Sequence, residues 1–161
     1  MSCKDAMIST VVTVSPEITV AEALDILRKN SIRVVPVVED GNVLVGMFGS
    51  RDILQELLPV SVTMEDGLER IDFVIGASPG VAKRLVAIKH EKVAVIMRRD
   101  QVKVEPETSL WEGTRLLVKH GSPLPVVDPE TGKLLGIISE QSAIEGLERS
   151  LEDLKKENSG E

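Results

Sequence analysis

A chain of 161 residues that is 42% hydrophobic, 28% charged and only 2% aromatic has the length for one compact domain or two very small ones, built on an aliphatic core. Its net charge of −7 opposes a phosphate backbone, which needs clustered Lys and Arg, and the scarcity of aromatics removes the stacking platforms used for single strands. Cys3 is the sole cysteine, so neither an internal disulfide nor a thiolate zinc site is available, and no metal is expected. No basic start followed by an apolar run marks a signal peptide, and no apolar stretch nears the roughly 20 residues that span a bilayer. The sequence reads as soluble and cytoplasmic, with no nucleic-acid or membrane partner.

Val11 to Val14 predict a short strand stopped by Pro16. A helix follows from about Thr19 to Asn30, with Thr19 and Glu22 spaced as a capping box. Val20, Ala23, Leu24 and Leu27 recur at i, i+3, i+4 and i+7, an amphipathic face. Val34 to Val38 form a β-branched strand, "EDGN" (39–42) turns the chain, and Val43 to Phe48 return. A helix then starts near Ser50 and should carry Ile53, Leu54, Leu57 and Leu58 inward. Helical signals continue through Leu68, Ile71 and Ile75. Ser78-Pro79 then suits the start of another helix through Ala82, Leu85, Val86 and Lys89.

The order then repeats. Pro16 in "VTVSP" falls on Pro106 in "VKVEP", an offset of 90 residues, and Met7 falls on Met97 at the same offset. "VPVVEDGNVLVGMFG" (35–49) answers "LPVVDPETGKLLGIIS" (124–139), with Gly46 on Gly136. Ser109 and Glu112 repeat the capping box, and Leu110, Trp111, Thr114, Leu117 and Val118 take the amphipathic face. The final helix runs through Leu147, Leu151 and Leu154 before a polar tail. The organisation is a first repeat over 1–58, a helical segment over 59–92, a second repeat over 93–148, and a helix end and tail over 149–161. Each unit of about 55 residues is too small to be comfortable alone, so the fold class is α+β: two β-α-β-β-α repeats packed with pseudo-twofold symmetry. Such a pair leaves two equivalent clefts between its halves.

Both repeats resemble the CBS domain, named after cystathionine β-synthase, and tandem pairs of that kind form the Bateman module. The resemblance covers the chain except the insertion and the tail. It implies a regulatory module without catalysis, binding AMP, ADP, ATP or S-adenosylmethionine in the clefts, with no permanent cofactor. It implies a homodimer, to which the apolar Leu54, Leu57, Leu58, Ile144 and Leu147 would contribute, and an output passed to an effector protein or to the oligomer itself. The alternative it allows is a structural dimerisation module whose ligand sites have decayed.

In the family, a Gly, an apolar residue, any residue, Ser or Thr, two of any and then Asp, Asn or Ser mark the turn into the last helix. "GMFGSRD" keeps Gly46 and Asp52 but has Gly49 at the hydroxyl position, with Ser50 one place late. "GIISEQS" keeps Gly136 and Ser139, while Ser142 replaces the ribose-binding Asp. The adenine wall implied by the resemblance is Val12, Ile32, Val34 and Met47 in one copy, and Val102, Pro123 and Ile137 in the other. The resemblance implies that Arg33, just before the second strand, meets a ligand phosphate; its counterpart is Ser122.

Plainer readings stand beside these. Asp52 and Ser139 would stabilise helix N-termini with no ligand present, and Arg33 would serve as a solvated strand-end residue. "GASPGVAKR" (76–84) lacks the Gly-Lys-Ser/Thr of a P-loop, and "HEKVA" (90–94) lacks the second His of a zinc-protease helix. His90 and His120 read as surface residues, and Trp111 as core or interface. No Walker lysine or metal-binding carboxylate pair supports turnover of ATP.

Overall fold

The computed structural model describes residues 1–58 and 78–160; the helix expected around Leu68, Ile71 and Ile75 lies outside them. The elements are α1 (Cys3–Ala6), α2 (Val20–Lys29), β1 (Val34–Glu39), β2 (Val43–Gly49), α3 (Ser50–Leu57), α4 (Ser78–Lys89), α5 (Val93–Ile96), α6 (Leu110–His120), β3 (Leu124–Val127), β4 (Leu134–Ile138) and α7 (Glu140–Ser159). They form a mixed helix-and-strand fold of two repeats, each with a strand hairpin between two helices.

Local signals account for most of these elements. The Thr19 hydroxyl accepts from the Glu22 N–H at 3.2 Å and opens α2; the Ser109 hydroxyl accepts from the Glu112 N–H at 3.1 Å and opens α6. Only this half of each expected capping box forms on that geometry. The Glu112 carboxylate instead accepts from Arg115 at 2.7 and 2.8 Å. The first hairpin turn is closed by the Asn42 N–H donating to the Glu39 carbonyl at 3.0 Å. Gly41 and Asn42 take the positive φ there, at 79° and 64°.

Two stretches expected as strands are shorter than anticipated. Val14 makes only a single parallel bridge to Val37, and Val104 one to Val126. β3 and β4 pair antiparallel with a bulge between Val126 and Val127, where the second hairpin carries its extra residue. α7 does not fray early: it holds to Ser159.

The compact units in space cut the chain elsewhere than the repeats do. One unit contains Met1–Val12, Val38–Leu44 and Asp100–Glu161; the other contains Thr13–Val37 and Val45–Arg99. Each therefore takes its leading segment from the opposite repeat. In the first, Ser2 bridges Ser109, the Cys3 N–H donates to the Thr108 carbonyl at 2.7 Å, and Leu110 N–H donates to Met1. In the second, Lys92 bridges Thr19, Val93 N–H donates to the Ile18 carbonyl at 2.9 Å, and Val20 N–H donates to Glu91. The short helices α1 and α5 seat by this pattern, which local periodicity does not announce.

Each unit has its own aliphatic core. In one it gathers Val20, Leu27, Val35, Val37, Phe48 and Ile53 with Val93 and Ile96 of α5. In the other, Leu110, Leu117, Leu124, Val126, Ile138 and Ala143 close on Cys3 and Ala6 of α1. Burying each Leu, Val, Ile or Phe contributes about 1.5–3 kcal/mol, so α5 is integral to its core through Val93 and Ile96, while α1 adds the smaller Cys3 and Ala6.

Several residues expected inward point outward. Leu54 and Leu58 are exposed while Ile53 and Leu57 are buried, because α3 is short and offers the core one narrow stripe. Trp111 is 75% exposed and Val118 85%, which removes the core reading of Trp111. In α4 the residues packed on the core are Val81, Leu85 and Ile88, and Val86 is exposed.

Candidate functional site

The turn into α3 is built from three close approaches. Gly46 lies where a Cβ would come 2.8 Å from the Arg98 carbonyl oxygen, because Met47 and Arg98 pair antiparallel through bonds of 2.9 and 2.8 Å. Gly49 lies where a Cβ would come 2.6 Å from the Arg33 carbonyl oxygen. That is the physical reason for a glycine at the position where the family pattern has a hydroxyl. Ser50 follows, exposed, its N–H donating to the same Arg33 carbonyl at 3.2 Å.

Asp52 then turns back over this loop and is only 3% exposed. Its Oδ2 accepts from the Gly49 N–H at 2.8 Å. Its Oδ1 lies 2.9 Å from Nε of Arg98. The Nε–H is buried against this carboxylate as an ion pair whose hydrogen-bond alignment is imperfect. Burial pushes the Asp52 carboxyl above its usual range, opposed by the Arg98 charge and the Gly49 N–H.

The turn into α7 repeats the backbone and changes the chemistry. Gly136 lies where a Cβ would come 2.5 Å from the Ile8 carbonyl oxygen, and Ile8 pairs with Ile137 as Arg98 does with Met47. Ser139 and Ser142 close on each other. The Ser142 N–H donates to Ser139 Oγ at 3.0 Å, and the Ser139 N–H donates to Ser142 Oγ at 2.9 Å. No ionised side chain takes part in those bonds.

The expected site residues fall into two groups. Ile32, Arg33, Val34, Met47, Ser50 and Asp52 belong to the unit with Arg98; Val12, Val102, Ser122, Pro123, Ile137, Ser139 and Ser142 belong to the other. Ile32, Val34, Val102, Pro123 and Ile137 are half-buried, as a wall for a flat ring requires, and Val12 is exposed. Met47 is completely buried and offers no open surface. Arg33 and Ser122 are exposed at strand starts, and what Arg33 contributes to the turn is its carbonyl. His90 and His120 are exposed. Among the described residues no three His, Cys, Asp or Glu side chains gather as a metal site, and no helix is long and apolar enough to cross a membrane.

Sequence reasoning missed Arg98. The signal was available: at the offset of 90 that aligns Met7 with Met97, Arg98 aligns with Ile8, just as Asp52 aligns with Ser142. The two charges, one from each repeat, meet in one compact unit, and their neutral counterparts Ile8 and Ser142 meet in the other.

Two repeats, each with a strand hairpin between two helices and this glycine-guarded turn, make a tandem-repeat architecture that matches a known family. The CBS domain model matches residues 3–59 and again 93–149, so the chain belongs to the CBS domain family as a tandem pair. It is 31% identical over 139 residues to the CBS domain-containing protein YhcV of Bacillus subtilis, covering 86% of this chain and 79% of that one. CBSX2 from Arabidopsis thaliana matches with a TM-score of 0.68 at 24% identity, over 96% of each chain. The crystal structure of CBSX2 in complex with AMP matches at 0.66 and 25%, over 96% of this chain and 98% of that one. The CBS domain pair of protein MJ0100, in complex with 5′-methylthioadenosine and S-adenosylmethionine, matches at 0.61 over 90% of this chain and 98% of its own. At 22% identity that last likeness is one of fold.

Proposed function

We propose that this chain is a regulatory module that senses an adenine nucleotide and performs no chemistry on it. The observation that carries the reading is Asp52: a buried carboxylate at the third position of α3, kept beside a cation, at the motif position that takes ribose hydroxyls in the family. Each carboxylate oxygen has two lone pairs, so the bonds to Gly49 and the contact to Arg98 leave acceptor capacity for a diol. The AMP complex of CBSX2, at 25% identity, supports the ligand class. Melting curves with AMP, ADP, ATP, NAD and S-adenosylmethionine test it. A ligand at about 100 times its Kd adds roughly 2.7 kcal/mol of stability, and a flat response to all five would overturn the reading. Phosphate release from ATP should not exceed that of a denatured control.

A second reading, a structural module that pairs with its own copy, is favoured by a different observation. α6 and α7 enclose a groove of about 220 Å³ lined by Thr114, Leu117, Val118, Ala143, Ile144 and Leu147. Val118, Ile144 and Leu147 are exposed there, and Leu151 and Leu154 continue the stripe along α7. On this reading a homodimer covers the stripe, with or without nucleotide. Sedimentation showing a monomer at high micromolar concentration would remove it.

A further inference from the structure

We infer that Arg98 reads the anionic part of the nucleotide, so that the unit holding Asp52 selects a phosphorylated ligand over the bare nucleoside. The inference rests on the nucleotide reading above and deepens it. Arg98 is held in place by both backbone bonds to Met47, and its side chain remains 40% exposed. Its Nε is buried against Asp52 at 2.9 Å, which fixes the guanidinium beside the carboxylate. A guanidinium carries five N–H donors in a planar fork, and that fork matches phosphate. A diol acceptor and a phosphate donor set side by side fit the two polar ends of a ribose phosphate.

The twin turn argues the same way. If Arg98 only balanced a helix-capping charge, the neutral arrangement of Ser142 and Ile8 would serve the same turn, as it does at α7. The charged version adds a buried carboxylate, which burial disfavours, and a cation whose side chain stays 40% exposed. Arg33 is the rival for this role, since it is the cation that the motif alignment suggests.

Calorimetric titration of the whole chain with AMP and with adenosine decides between them. The quantity read is the ratio of the two affinities, which isolates the phosphate from any general weakening at Asp52. Arg98→Met should lower that ratio on the order of 10- to 100-fold, the range for a hydrogen bond to a charged group, and Arg33→Ala should leave it within about threefold of wild type. The double variant Asp52→Ser with Arg98→Ile imports the pair used at α7 and serves if Arg98→Met does not fold; it too should lose the discrimination. An unchanged ratio in a folded Arg98 variant, or a loss confined to Arg33→Ala, would overturn the inference and leave the nucleotide reading intact. Wild-type protein that binds neither AMP nor adenosine would overturn both.

Discussion

At the entry to α3 the chain places Gly49, Asp52 and Arg98; at the entry to α7 it places Ser139, Ser142 and Ile8. Both turns admit a strand from the opposite repeat over a glycine, Gly46 in one and Gly136 in the other. They diverge in how the helix start is satisfied. At α7 two hydroxyls and two N–H groups bond reciprocally and the turn is closed on itself. At α3 one carboxylate does the capping alone and requires a neighbouring cation. A duplicated scaffold can therefore keep its backbone while one turn is made neutral and the other is charged. The charged turn is the one that keeps a partly exposed cation beside its helix start.

The largest effects should come from breaking what the two turns share. Gly136→Ala sets a Cβ against the Ile8 carbonyl and should destabilise by about 3 kcal/mol; Gly46→Ala, with a slightly longer approach, should cost somewhat less. Urea melts of both variants measure the order, and equal or negligible losses would contradict the close-approach account. Gly49→Ser makes the first turn look like the second and supplies the family's hydroxyl. Its Cβ meets the Arg33 carbonyl, so it should cost about 2 kcal/mol rather than stabilise. A stabilised variant would show that the loop relaxes freely.

Removing one cap is milder. Ser139→Ala should lower stability by about 1 kcal/mol, and Ser109→Ala by a similar amount, both readable as a fall in denaturation midpoint at unchanged slope. The smallest effect sharpens the electrostatic contrast. Asp52 has a folded pKa raised above its unfolded value, so the folded state holds this proton more tightly. Its stabilising contribution is present below the unfolded value, about 4, and is lost as pH rises through the folded value. Relative to the Asp52→Ser, Arg98→Ile variant, wild type should therefore lose stability across that window. A gain there would mean that Arg98 outweighs burial.

Much of this architecture was legible in the residues. The offset of 90, the caps at Thr19 and Ser109 and the β-branched hairpins located α2, α6 and both strand pairs, because those signals are local. The exchange of α1 and α5 was not legible: four apolar residues such as Val93–Ile96 carry no period that says which core they join. The outward faces of Trp111 and Val118 were missed for a related reason. An amphipathic stripe fixes a helix's inner side only to within a residue or so, and packing decides the rest. At the candidate site, Asp52 was named from the motif, but Arg98 lies 46 positions further along the chain, where only its paired change with Asp52 at the offset of 90 pointed to it.

That exchange also has a consequence for how the chain is made. During synthesis Met1 to Val12 emerge well before their partners in Asp100–Glu161. That segment must wait, unpaired, while the residues between the two are translated. A ribosome-stalled chain ending near residue 92 would hold the first repeat without the strand around Arg98 that crosses Gly46. A trap for exposed apolar surface should capture such nascent chains and release them once the second repeat is complete.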